Sequence, residues 1–262
     1  MQKITITLFL MLAMNSVIMA QYKDLYQKKE FIVGNDTLRY RMLYPLNYDA
    51  GKKYPLILFL HGSGERGNDN EAQLVHGSVL FADSANRLRF PAIVIFPQCP
   101  ADDFWARLSR DPNKNDSLGQ FNFESGQPIG KSLGLVSRLL DSLVAAKLAD
   151  TKKIYLGGLS MGGMGTFELL WRKPNFFAAA FPICGGGDPK QAGIYGRKFP
   201  VWIFHGGSDP VVPVSNSRLM TNVLKDAGAK VKYTEYPGVG HNSWDNAFAE
   251  PELLPWLFKQ KK

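Results

Sequence analysis

Four short, unbroken apolar runs constrain this chain most: Tyr54-Pro-Leu-Ile-Leu-Phe-Leu-His61, Pro91-Ala-Ile-Val-Ile-Phe-Pro97, Ile154-Tyr-Leu-Gly157 and Val201-Trp-Ile-Phe-His205. A strand with one face in water alternates apolar and polar residues, whereas a strand covered on both faces does not. Runs of this kind therefore predict a parallel sheet enclosed by helices. Helical patterns fall between them. Leu133, Val136, Leu140 and Leu143 form an amphipathic stripe, Met161 to Arg172 reads as a second helix, and Ser215 to Ala227 reads as a third that stops at Gly228. The alternation predicts an α/β, doubly wound fold with a central, mostly parallel sheet and helices on both faces. Phe31 to Tyr44 reads as a hairpin turning at Gly34-Asn35-Asp36, adding antiparallel N-terminal strands at the sheet edge. The longest irregular stretch, Pro100 to Pro128, is expected to be functional or mobile.

The 262 residues, 45% hydrophobic and 21% charged, suffice for one large core, and no linker or repeat divides them. A charge of +8 is spread along the sequence without basic runs, which argues against nucleic acid as a partner. Residues 1–20 carry Lys3, an apolar run from Ile4 to Ala13 and a small residue at Ala20, the pattern of a signal peptide cut after about Ala20. The run breaks at Asn15, short of a membrane span, and no later segment is long and apolar enough for one. The expected organisation is a signal peptide over 1–20 and one catalytic domain over 21–262, secreted or periplasmic. Cys99 and Cys184 are expected to stay unpaired, because the strands before them should lie three positions apart in the sheet. His61, His76, His205 and His241 show no metal-ligand spacing.

The chemistry centres on Gly158-Leu-Ser160-Met-Gly162, set between a strand and a helix. Glycines on both flanks permit a tight turn that leaves the serine hydroxyl exposed above the sheet. A hydroxyl is a weak nucleophile at neutral pH, so it needs a base and a carboxylate to orient that base. Asp209, just past a strand in Phe204-His-Gly-Gly-Ser-Asp209-Pro, and His241, in a loop after the strand-like Val231 to Tyr236, follow Ser160 in the order of α/β-hydrolases. Asp245 competes with Asp209, and position favours Asp209, at a strand end. The loop Leu60-His-Gly-Ser-Gly64-Glu-Arg-Gly67 sits where an oxyanion hole belongs, with the Ser63 and Met161 N–H groups as donors. His61 is expected to anchor this loop, and Glu65 and Arg66 to pair with each other.

The blocks His61-Gly-Ser-Gly-Glu-Arg-Gly67, Phe96-Pro-Gln-Cys99, Gly158-Leu-Ser-Met-Gly-Gly163, Pro182-Ile-Cys-Gly-Gly-Gly-Asp188 and Asp209-Pro-Val-Val-Pro-Val214 resemble the secreted esterase branch of the α/β-hydrolase superfamily. That branch is close to family-one carbohydrate esterases (feruloyl and acetylxylan esterases) and to poly(hydroxybutyrate) depolymerase-like esterases. The resemblance implies carboxylic-ester hydrolysis by Ser160, Asp209 and His241 without a cofactor or metal. It also implies a small-molecule or polysaccharide-linked ester as substrate.

Only sixteen residues separate the strand ending near Cys184 from the one starting at Val201, too few for a large lid. An open site favours short or polymer-attached acyl groups, and Gln98, Trp105 and Trp244 are expected to line it. A peptidase of the prolyl oligopeptidase type is the nearest chemical alternative, although too few residues precede the first core strand for its propeller. A non-catalytic binding protein on the same scaffold is the alternative of another class.

Overall fold

The computed structural model describes residues 22–110 and 121–262, and the expected signal segment lies outside them. An eight-stranded sheet runs through the molecule in the order β1-β2-β4-β3-β7-β8-β9-β10. Its strands are β1 (Gln27–Val33), β2 (Asp36–Leu43), β3 (Tyr54–Leu60), β4 (Ile93–Pro97), β7 (Ala149–Leu159), β8 (Ala179–Ile183), β9 (Pro200–Gly206) and β10 (Lys230–Tyr236). All pairings from β4 to β10 are parallel, whereas β1 and β2 are antiparallel to their neighbours. This is the mostly parallel, helix-covered sheet that the apolar runs predicted, in the α/β-hydrolase architecture that the resemblance implied. The hairpin turns at Gly34, whose φ of 58° suits a residue without a Cβ.

Successive strand residues face opposite sides of the sheet, so each apolar run supplies two cores. Leu56, Leu58, Leu60, Ile93, Ile95, Ile154, Leu156, Val201 and Ile203 share one of them. The long helices lie between consecutive strands, α3 (Lys131–Ala145) before β7, α4 (Met161–Arg172) before β8 and α6 (Ser215–Asp226) before β10. Leu133, Val136, Leu140 and Leu143 of α3, Phe167, Leu169 and Leu170 of α4, and Met220 and Leu224 of α6 complete that core. Ile57, Phe59, Val94, Phe96, Tyr155, Phe181, Trp202 and Phe204 form the other, under α1 (Ser78–Ala82), α7 (Trp244–Phe248) and α8 (Leu253–Lys259). Two short helices, α2 (Ser84–Arg89) and α5 (Ala192–Tyr195), complete the connections. Among the described residues, no helix is long and apolar enough to cross a membrane.

The described residues of the stretch after Pro100 carry more structure than their composition suggests. Trp105 and Ala106 are buried, and an antiparallel strand pair, β5 (Leu108–Arg110) with β6 (Phe121–Phe123), packs by Leu108, Phe121 and Phe123 against Met164 and Val212. Cys99 follows β4 and Cys184 follows β8, three positions apart in the strand order, and both thiols are buried and unpaired. Burial pushes the Cys99 thiol up to about 12 and the Cys184 thiol higher still.

Candidate active site

Ser160 links the end of β7 to the start of α4 with φ 52° and ψ −117°. A non-glycine residue held there costs about 1–3 kcal/mol. Its surroundings fix it in place. The Ser160 N–H donates to Ile183 O at 2.9 Å, and Ser160 O accepts from the Met164 N–H at 3.0 Å. A Cβ on Gly158 would collide with the Gly162 carbonyl, and one on Gly162 with the Leu60 carbonyl. Both glycines therefore serve close approach, drawing the N-terminus of α4 against the end of β3.

The three residues expected to act together meet. His241 Nε2 lies 2.9 Å from Ser160 Oγ, and His241 Nδ1 lies 2.7 Å from Asp209 Oδ2. The other oxygen, Asp209 Oδ1, accepts from the Val211 and Val212 N–H groups at 2.8 and 2.9 Å. Burial alone would raise the Asp209 pKa. Hydrogen bonds from His205, His241, Val212 and Val211 override it and hold the carboxyl well below the usual carboxylate range. Asp245 instead faces Asn242, whose Nδ2 donates to its Oδ2 at 3.3 Å, so Asp209 is the partner of His241.

Ser63 opens a single 3-10 turn, Ser63–Glu65, and Met161 is the first residue of α4. An N–H at the first position of a helix has no carbonyl one turn behind it, so both point outward unclaimed by their own helices. A Cβ placed on Gly62 would lie 3.7 Å from Ser160 Cβ, which brings the Ser63 loop against the serine. His61 anchors that loop as expected. Its Nδ1–H donates to Gly62 O at 2.6 Å and its Nε2 accepts from the Cys99 N–H at 3.0 Å, and burial lowers its pKa to about 4.

Three expectations about neighbouring side chains are corrected. Trp105 does not line the cleft. Its side chain has no solvent exposure, its indole N–H donates to His61 O at 3.0 Å, and its Cβ is seated over Gly165 of α4. Gln98 is buried too, accepting from Asn70 N–H at 2.7 Å and donating to Asp69 Oδ1 at 2.7 Å, so it braces the loop beyond Gly67. Glu65 and Arg66 do not pair. Arg66 donates to Ser63 O and Ala101 O at 3.1 and 3.0 Å, while Glu65 Oε1 lies 3.6 Å from His76 Nε2. Only Trp244 stands at the site, half-buried, with its ring edge-on to His241 at 5.3 Å and beside His76 at 5.0 Å.

Two residues that the sequence did not single out lie beside the group. Cys184 Sγ lies within 4.8 Å of a carboxylate oxygen of Asp209 and of a ring nitrogen of His241, and His205 Nε2 lies 3.2 Å from Asp209 Oδ2. Both end apolar strands, where such residues look like ordinary core.

The sequence profile of the phospholipase/carboxylesterase family matches residues 47–251. Carboxylesterase SOBER1 of Arabidopsis thaliana is 24% identical over 71% of this chain and 82% of its own length. A xylanase/feruloyl esterase of Xylanibacter ruminicola is 27% identical over 72% of this chain, which spans 24% of that protein. Among solved structures, a thermostable esterase is 36% identical with a TM-score of 0.80, over 92% of this chain and 64% of that one. Matched along most of its length and folded as an α/β-hydrolase with esterase neighbours, the chain belongs to the phospholipase/carboxylesterase family of ester hydrolases.

Proposed function

We propose that the chain is a serine carboxylesterase working through an acyl-enzyme, with Ser160 as nucleophile, His241 as general base and acid, and Asp209 as the group that orients His241. The observation carrying this reading is the hydrogen-bonded line from Ser160 Oγ through His241 to Asp209, at 2.9 and 2.7 Å. Ser160 Oγ bonds to the acyl carbon as its proton passes to His241 Nε2, and the carbonyl oxygen gains the negative charge. The Ser63 and Met161 N–H groups receive that oxyanion. Collapse breaks the ester C–O bond, and His241 returns its proton to the departing alcohol. Water, deprotonated by the same imidazole, then cleaves the acyl-enzyme and regenerates Ser160.

For substrate, the reading is a short-chain or carbohydrate-linked acetyl or feruloyl ester. The connection from β8 to β9 holds the turn Pro189–Gln191 and the four residues of α5, so no lid is inserted at that connection. Long acyl chains would then project into water and gain none of the roughly 0.8 kcal/mol that each buried CH₂ contributes. Trp244, half-buried beside His241, is the aromatic residue assigned here to a sugar or aryl group, and one relative carries the name feruloyl esterase. Residues 1–20 support export, with the enzyme acting outside the cytoplasm. The test is kcat/KM on p-nitrophenyl esters from acetate to octanoate, with methyl ferulate and acetylated xylan beside them. A peak at acetate to butyrate supports the reading. A peak at dodecanoate or beyond in an extended series, or a jump in rate above the solubility limit, would replace it with a lipase.

A further inference from the structure

His205 is a wholly buried histidine to which the proposed chemistry assigns no role. It stands near the end of β9, four residues before Asp209. Its Nε2 lies 2.9 Å from Val212 O and 3.2 Å from Asp209 Oδ2. Both contacts are acceptors, so Nε2 carries a proton and donates. Nδ1 is tied to Ser217 Oγ, in the first turn of α6, at 2.7 Å. The ring thus spans from a helix to the carboxylate oxygen that His241 also uses.

We propose that His205 is a positioning residue that acts through Asp209. It holds the carboxylate in line with His241 and, by sharing Oδ2, limits how strongly that oxygen accepts the His241 Nδ1–H. With the His205 donor removed, Oδ2 becomes more basic and less fixed. A more basic Asp209 stabilises protonated His241, so the imidazole titrates at higher pH and the acid limb of kcat/KM moves the same way. A less fixed Asp209 lowers kcat while leaving substrate binding in place. The kinetic consequence rests on the triad reading above, whereas the effect on the His241 titration does not.

The other titratable and charged groups facing this pair stay as they are in the variants. They are Cys184 after β8; Glu235 on β10, opposite His205 in the register and held by Arg218 and Tyr233; and His76 across the Trp244 ring.

The experiment compares His205→Leu, which removes both ring nitrogens, with His205→Gln, whose amide nitrogen reaches about as far as Nε2. Folding is checked by circular dichroism, and His241 is titrated by NMR with its resonance identified by loss in His241→Asn. In His205→Leu, kcat should fall roughly tenfold to a hundredfold, the usual cost of losing an outer-shell partner, with little change in KM. The His241 midpoint should move to higher pH, and His205→Gln should restore most of both. A folded His205→Leu variant with the wild-type midpoint, or a glutamine variant as impaired as the leucine one, overturns the proposal. If His205→Leu does not fold, His205→Asn, whose shorter amide stops short of Asp209, takes its place. Turnover that survives Ser160→Ala would remove the triad reading, and the His241 titration in that background would still decide the role of His205.

Discussion

Replacing Trp105 separates a residue that builds the site from one that touches substrate. Its side chain is fully buried, its ring lies 5.2 Å from that of His61, and its indole N–H closes a 3.0 Å bond to the His61 carbonyl. Trp105→Ala deletes the ring and strands that carbonyl, a combination expected to cost about 3–5 kcal/mol. For a chain of this size each kcal/mol lowers Tm by about 2–4 °C, so a drop of roughly 6–20 °C follows. Trp105→Phe keeps most of the packing and loses the hydrogen bond, for about 1–3 kcal/mol. Thermal unfolding measures both. At temperatures well below either transition, KM for p-nitrophenyl butyrate should stay within about threefold of wild type, because the ring meets no substrate. An unchanged Tm with a several-fold rise in KM would refute this placement and return Trp105 to the cleft wall.

Trp244→Ala should do the reverse, raising KM more than it lowers kcat, since stacking on a ring binds ground and transition states alike. Asp209→Asn should cost far more kcat than Asp245→Asn, and the opposite ranking would displace Asp209 as the group orienting His241. His61 is held neutral, its pKa lowered from 6.5 to about 4, so the unfolded chain binds a proton first as pH falls. The stability this gives is complete above pH 6.5 and is lost progressively down to about pH 4, on the order of 3 kcal/mol in all. Denaturant titrations across that window should show the loss, and His61→Gln should flatten it; an unchanged slope would mean the imidazole is solvated. Thiol titration of the denatured, unreduced protein should find two groups, and finding none would show a disulfide between Cys99 and Cys184.

What could be read from the sequence follows from where each interaction is local. The core strands were legible because burial on both faces leaves an unbroken apolar run. The first half of β7, Ala149 to Lys153, was not, because Asp150, Thr151 and Lys152 are polar and fall where the β3–β7 register shifts, between the Tyr54–Ala149 and Leu56–Ile154 pairs. The Ser160, Asp209, His241 line was legible because chain order and strand ends fix which residues can meet above the sheet. Trp105 was not, because whether a loop tryptophan faces water or core depends on Gly165, sixty residues later on α4. Arg66 turned from Glu65 for the same kind of reason, since backbone carbonyls at Ser63 and Ala101 offered it a fixed site. His205 was passed over because a histidine ending an apolar strand carries no mark of its partner until the turn to Asp209 is folded.

The most direct measurement of the central claim is where a serine-directed fluorophosphonate attaches. Intact mass should show one adduct per chain, peptide mapping should place it on Ser160, and Ser160→Ala should take up none and lose activity on the order of 10⁴-fold while remaining folded. An adduct on another residue, or more than a tenth of wild-type kcat in Ser160→Ala, would contradict it.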